Sequence, residues 1–112
     1  MVAFEPAERG RWWYCRQVAT VRVGEFEWDD AKASANLEKH GVSFEEAMTV
    51  FLDELALPLE DVGHPERVIL IGESALQRTL LVVFTERDAG GTIRIISARR
   101  ATKRERKHYE EE

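Results

Sequence analysis

The residues that could do chemistry in this 112-residue chain are cations, one imidazole and a run of arginines, concentrated near residue 40 and near the C-terminus. Lys32, Asn36 and Lys39 recur at a spacing that brings them within about 60° of one another on a helical wheel, with His40 just beside them. One face would then carry two ammonium groups, an amide and an imidazole. Arg78 precedes an apolar stretch, Arg99 and Arg100 end another, and Arg104 follows shortly after. Arginine offers a planar, permanently charged fork that suits phosphate, and backbone N–H groups at a helix start add to such a site. The pattern therefore points to an anion site, with phosphate the best-fitting anion. Two plainer readings fit the same residues. The helix face can be a solvated surface with cations near its negative end, and the arginines can pair with carboxylates elsewhere in the chain.

The other chemistries leave no trace. His40, His64 and His108 do not share a metal-ligand spacing. GxSxG, P-loop, GxGxxG and HExxH patterns are absent. Cys15 stands alone, which excludes an internal disulfide framework and a Cys-based zinc site. Neither metal nor cofactor is expected.

The elements that must hold these residues are legible from periodicity. Glu25 to Trp28 reads as a short strand, and Val18 to Val23 as another. Asp29 or Asp30 caps a helix running to about His40, and Gly41 follows where a left-handed cap is wanted. Ser43 with Glu46 forms a capping box. Phe44, Ala47, Met48 and Phe51 then repeat as one apolar helix face. The second half is β in character: Leu57 to Leu59 weakly, then Arg67 to Ile71, Thr79 to Glu86 and Thr92 to Ala98, rich in β-branched residues. Asp88-Ala89-Gly90-Gly91 is a turn. Thr102 with Glu105 opens a last short helix. Arg94 interrupts an apolar strand, which suggests an edge or a site. The expected fold class is α+β: an antiparallel sheet of three to four main strands, two N-terminal helices and one C-terminal helix.

Composition sets the bounds. Charged residues are 33% and hydrophobic residues 44%, an ordinary globular balance that excludes wholesale disorder. The size suits one domain. No apolar run approaches the ~20 residues of a membrane helix, and the start lacks the order of a signal peptide. A membrane partner is not expected, and a reducing cytoplasm is the expected location. The net charge is −5, but it is unevenly placed. Residues 1–90 hold 9 Lys and Arg against 17 Asp and Glu, whereas residues 91–112 hold 7 against 4. A basic end on an acidic body suits a local polyanion site; a solvated terminal helix gives the same pattern. Residues 1–24, with Arg9, Arg11 and Arg16 around Trp12-Trp13-Tyr14, have no clean period. They read as a loosely attached extension, or as an over-long start with the true one near Gly24, leaving the domain at 25–112.

Two long motifs, in order, resemble the BrnT family. The first is Phe26-Glu27-Trp28-Asp29, then Lys32, Asn36 and Lys39 through Ala47, with Val50-Phe51. The second is Ile93 through Thr102, with Arg104-Glu105-Arg106 and Tyr109. Arg67, Ile71-Gly72, Ser74 and Arg78 fall where that family has its middle pattern. The resemblance covers about residues 25–110. It implies a RelE-like fold and a ribonuclease toxin of a type II toxin–antitoxin system, cleaving RNA without metal. Such cleavage needs a base, a proton donor and cations for the phosphate. His40 is the side chain whose unperturbed pKa lies near neutrality. Arg78, Arg99 and Arg104 would be the phosphate clamps, and Lys39 a clamp or acid. Lys32, Arg100, Lys103, Lys107 and Tyr109 would bind RNA. The resemblance also implies a cognate antitoxin, a ribbon-helix-helix DNA-binding protein of the BrnA type, through which alone the complex would meet operator DNA. The competing readings are a non-catalytic RNA- or DNA-binding module, an inactive toxin relative, or a plain interaction domain.

Overall fold

The computed structural model describes residues 19–111. The cluster Trp12-Trp13-Tyr14, Cys15 and the arginines before residue 19 lie outside the described residues. In chain order the elements are β1 (Thr20–Val23), β2 (Phe26–Asp29), α1 (Asp30–His40), α2 (Phe44–Val50), β3 (Leu57–Glu60), β4 (Val68–Glu73), β5 (Thr79–Arg87), β6 (Thr92–Arg100) and α3 (Lys103–Glu110). No helix among the described residues is long and apolar enough to cross a membrane.

The strands form one six-stranded sheet in the order β1-β2-β6-β5-β4-β3. The α+β class and the three helices match expectation, but the sheet is larger and is mixed. β2 runs parallel to β6, with Phe26 opposite Ile93 and Glu27 opposite Arg94, while the other neighbours are antiparallel. A purely antiparallel sheet of three to four strands omits β1 and β2, because β2 joins the sheet through a pairing with β6 some 67 residues on and β1 joins through β2. Local periodicity carries no record of such a pairing.

One face of the sheet packs on α1 and α2. Trp28, Val42, Phe44, Ala47, Val50, Leu70, Leu80, Val82, Phe84, Ile95 and Ala98 are buried there together. Trp28 meets Phe44 edge-on with ring centroids 5.9 Å apart, and Phe51 meets Phe84 at 4.9 Å. Edge-on aromatic pairs of this kind add about 0.5–1.5 kcal/mol beyond their burial. Gly72 on β4 sits where a Cβ would come within 2.9 Å of Val50 Cγ1 and 3.0 Å of Ala56 Cβ, so only glycine lets α2 and the following turn approach the sheet this closely.

The helix boundaries follow their caps. Asp29 accepts from the N–H groups of Ala31 and Lys32 at 2.8 and 3.2 Å. Gly41, at φ 70°, closes α1 in the left-handed region, its N–H donating to the Leu37 carbonyl. Thr102 and Glu105 make the full reciprocal capping box. Ser43 caps α2 by accepting from the Glu46 N–H at 2.9 Å, but the expected return bond is absent. The Glu46 carboxylate is directed elsewhere, to a partner that sequence spacing does not reveal.

Candidate functional site

The C-terminal end of α1 is held in place by a single amide. Asn36, the buried residue of that helix, donates to the carbonyls of Ala98 and Val42 at 2.7 and 2.9 Å and accepts from the Ala98 N–H at 3.2 Å. Along β6 the parallel partner β2 reaches only as far as Arg94. Beyond it the backbone of β6 lacks a strand neighbour on that side, and Asn36 supplies the donor and acceptor that a strand would. Asn36 is therefore a positioning group rather than a ligand for an anion. Its neighbours on the wheel, Lys32 and Lys39, are exposed, and His40 is half-buried.

Immediately after His40, the Gly41 carbonyl accepts from Arg78 Nη2 at 3.0 Å. Arg78 precedes β5 and uses the same fork on Glu46 of α2. Nε donates to Oε2 at 3.0 Å, and Nη2 bonds Oε1. Ser74 Oγ donates to the same Oε2 at 2.6 Å. The Glu46 carboxylate is only 5% exposed. Arg78, then Ser74 and the nearby charge of Arg100, hold it below the usual carboxylate range against the opposing effect of burial. The Ser74–Arg78 hairpin is tight, with Gln77 at φ 63° and the Ser74 N–H donating to the Arg78 carbonyl at 2.8 Å. Thr49 of α2 binds it from the other side, its hydroxyl accepting from the Ala75 N–H at 2.8 Å. The turn after α1, α2 and the β4–β5 hairpin thus meet at one buried carboxylate, with Arg78 bound to it and the charge of Arg100, at the end of β6, acting on it.

The remaining predicted residues form a second group. Arg99 points to the other face of β6 and grips Glu105 of α3 with both Nη atoms at 2.9 Å. Its side chain is 38% exposed and that of Glu105 27%. Arg104 borders a shallow hollow of ≈ 270 Å³ with Leu59, Ile71, Glu105 and His108, and Lys103 and Lys107 are exposed. The Tyr109 hydroxyl is committed to structure. It donates to Asp53 Oδ2 at 2.6 Å, and that bond, with burial, pushes its pKa up to about 12. The same Asp53 oxygen accepts from the Glu73 N–H at 2.8 Å, which ties the end of α3 to the α2–β3 turn and to β4.

The ten predicted residues therefore do not make one cluster. Arg78 binds the Glu46 carboxylate and the charge of Arg100 acts on it. Lys39 and His40 end α1 just before the Gly41 carbonyl that Arg78 also binds, and Lys32 lies earlier on α1. Arg99, Arg104, Lys103, Lys107 and Tyr109 stand around α3. Sequence reasoning missed Glu46 and Ser74, because one reads as half of a capping box and the other as a turn residue. The available signal was Arg78 itself, a lone cation at the entry to an apolar strand with no local acid to balance it. Among the described residues, no group of three or more His, Cys, Asp or Glu side chains is arranged to hold a metal ion.

A protein-family model described as the ribonuclease toxin BrnT of type II toxin–antitoxin systems matches residues 28–105. Among solved structures, the chain is similar to the ribonuclease toxin BrnT of Brucella abortus, determined at 1.1 Å resolution. The two share 27% sequence identity and superpose with a TM-score of 0.57, over 68% of this chain and 94% of that one. No curated protein matches the chain.

Proposed function

The chain belongs to the BrnT family of ribonuclease toxins of type II toxin–antitoxin systems, and from that premise we propose that it is a metal-independent endoribonuclease acting at the His40–Arg78 cluster. The observation that carries this reading is the bond from Arg78 to the Gly41 carbonyl. It fixes a guanidinium beside the residue that follows His40, and a buried carboxylate orients that guanidinium from behind. A base and an oriented cation are the parts that transesterification of RNA requires.

In the proposed reaction the His40 imidazole takes the proton of a ribose 2′-hydroxyl. The 2′-oxygen attacks the adjacent phosphorus, and the bond from phosphorus to the 5′-oxygen breaks. Lys39 donates a proton to the departing 5′-oxygen. The products are a 2′,3′-cyclic phosphate and a 5′-hydroxyl. Arg78 and Arg100 offset the charge that builds on the phosphate, and Arg99 and Arg104 hold the RNA strand on the far side of β6. General acid–base help is worth about 10²–10⁴-fold, and an oriented donor about 10²–10³-fold. Lys32, Lys103 and Lys107 supply attraction to the polyanion.

The biological reading follows from the family. The protein inhibits growth in the cytoplasm until a cognate antitoxin, a ribbon-helix-helix DNA-binding protein of the BrnA type, covers the basic residues. Operator DNA is met only through that antitoxin. Residues 25–112 carry the groups of the proposed reaction. Residues 1–24 are dispensable for the chemistry at the bond that is cut, while their strand β1 extends the sheet beside β2.

The test is RNA cleavage by purified protein in excess EDTA, beside the His40→Ala variant. Cleavage is expected from the parent protein and its loss from the variant. A folded parent that binds RNA and leaves it intact would overturn the catalytic reading in favour of a binding module. Abundant folded protein that leaves bacterial growth unaffected would overturn the toxin reading.

A further inference from the structure

At the opposite end of the sheet from His40, three arginines from three strands converge on one carboxylate. Glu27 of β2 is directly opposite Arg22 of β1 and directly opposite Arg94 of β6. Arg94 is in turn opposite Thr85 of β5, and Arg87 lies two residues further along β5. Alternation along each strand therefore puts all four charged groups on one face. Arg94 Nη1 donates to Glu27 Oε2 at 2.8 Å. Arg87 Nη1 lies 3.4 Å from the same oxygen, and Arg22 Nη2 lies 3.4 Å from Oε1.

The arithmetic of this cluster is unbalanced. One carboxylate faces three guanidinium groups, leaving a local excess of two positive charges in a chain whose net charge is −5. The Glu27 side chain is 10% exposed, whereas those of Arg22 and Arg87 are 55% and 54% exposed. The carboxylate is thus withdrawn beneath the cations it holds together. Each guanidinium has five N–H donors, so three of them offer far more donors than one carboxylate can accept. The neighbouring acid on β5, Glu86, pairs with Ile93, whose side chain packs into the core on the other face.

A β-bulge connects this cluster to the rest of the molecule. Arg94 and Arg99 are an odd number of residues apart on β6, a spacing that in a regular strand places them on opposite faces. The register shifts between Val83 and Phe84, so that Arg94 faces Thr85 and Arg99 faces Leu81. Thr85 and Leu81 are four residues apart and share a face. The bulge therefore brings Arg99 and the Arg22–Arg87–Arg94 cluster onto one side of the sheet, separated by about 13 Å along β5.

We propose that Arg22, Arg87 and Arg94, held by Glu27, form a phosphate-binding subsite for single-stranded RNA, engaging backbone phosphates remote from the bond that is cut. Guanidinium forks match phosphate oxygens, and Arg99, about 13 Å along β5 on the same face, gives an extended strand a second guanidinium site to pass. This subsite rests on the reading of the chain as a ribonuclease. Its ligand class is the phosphodiester backbone, and it carries no base readout. Glu27 acts as a positioning residue, since it touches the arginines and not the ligand.

The experiment uses the full chain and a single-stranded oligoribonucleotide with 2′-O-methyl riboses, which binds but offers no attacking hydroxyl. Affinity is measured across a salt series for the parent protein, for Arg22→Ala/Arg87→Ala and for Arg22→Lys/Arg87→Lys. The alanine pair is expected to bind on the order of tenfold more weakly, with a salt slope shallower by about 1.4, which is two phosphate contacts at about 0.7 each. The lysine pair should recover the slope, because each ammonium still neutralises a phosphate. An unchanged slope in the alanine pair overturns the subsite. So does a loss of antitoxin affinity with RNA binding intact, which would assign the arginines to an acidic protein partner. A parent protein that neither binds nor cleaves RNA would instead overturn the ribonuclease reading. That result is distinct, because it precedes any comparison of variants. Should the alanine pair fail to fold, Arg22→Gln/Arg87→Gln takes its place, and an unchanged slope in that folded pair overturns the subsite.

Discussion

Two arginine–carboxylate pairs, one at each end of the proposed machinery, have the same bidentate form and different surroundings. Arg78 and Glu46 join residues 32 positions apart, and the carboxylate is buried with a hydroxyl on it as well. Arg99 and Glu105 are six residues apart, half in solvent, and the carboxylate already caps its own helix at the Thr102 N–H. The chemistry of the pair is therefore a poor guide to its weight. A pair between distant elements over a buried carboxylate makes the fold depend on it. A local pair at the surface adds orientation and little stability.

The sharpest way to break this comparison is to remove each arginine in turn. Arg78→Ala leaves a buried carboxylate without its partner and should cost about 3 kcal/mol of unfolding free energy. Arg99→Ala should cost about 0.5 kcal/mol, as surface pairs do. Urea titration of both variants checks this, and equal losses would erase the distinction. The same contrast has a pH signature. The folded pKa of Glu46 lies below its ordinary value, so the pair contributes fully above the unfolded carboxylate pKa and its contribution is lost as pH falls through the folded value. The Arg78→Ala variant should show a flatter acid limb in stability against pH than Arg99→Ala.

Next in size are the activity losses. His40→Ala should lower kcat for RNA cleavage by about 10²-fold. Arg99 holds the RNA strand away from the bond that is cut, so Arg99→Ala should act mainly on KM, and both variants should melt within a few degrees of the parent. His40 sits beside a glycine cap at the end of α1 and is no part of the buried core. Were His40→Ala to lose activity only in proportion to lost stability, its catalytic assignment would fail.

Tyr109→Phe comes third. The phenol donates to a carboxylate, and its loss should cost about 1 kcal/mol. The parent should carry an alkaline signature: the folded pKa is raised from 10.0 to about 12, so this bond stabilises fully below pH 10.0 and is lost as pH rises through about 12. The phenylalanine variant should lack that decline. The smallest effects belong to Lys103→Ala and Lys107→Ala on the exposed side of α3. Each should weaken RNA binding and reduce the salt slope by about 0.7, with kcat moving far less than KM.

The contrast also explains what the sequence reveals. Caps, turns and local pairs are written in adjacent residues, so Asp29, Gly41, Ser43 and the Thr102–Glu105 box are legible from residue types and spacing alone. The apolar periods of α2, β4, β5 and β6 are equally local. What escapes is every interaction whose two halves are far apart. Glu46 looks like half of a cap because its true partner is 32 residues on. Asn36 looks like part of a cationic face, although it serves as the neighbour that β6 lacks. Arg94 looks like an edge or site residue within an apolar strand, and it is in fact an interior pairing position opposite Glu27. The candidate residues are recognisable by type, but their division between two faces is not, because a bulge between Val83 and Phe84 changes which arginines look the same way.

The parallel pairing of β2 with β6 has a further consequence, in time rather than in space. Glu27 and Arg94 are 67 residues apart and Asn36 and Ala98 are 62, so the middle of the sheet stays open until β6 has been made. A growing chain that has reached Gly91 has an unpaired long edge on β5 and leaves the β1–β2 hairpin unattached to the rest of the sheet, and loop closure over that distance is slow. Pulse proteolysis of a chain ending at Gly91 should find it digested throughout, whereas a protected fragment would mean that the early elements fold unaided. A protein that damages RNA would then be harmless for most of its own synthesis, becoming dangerous only once its last strand is in place.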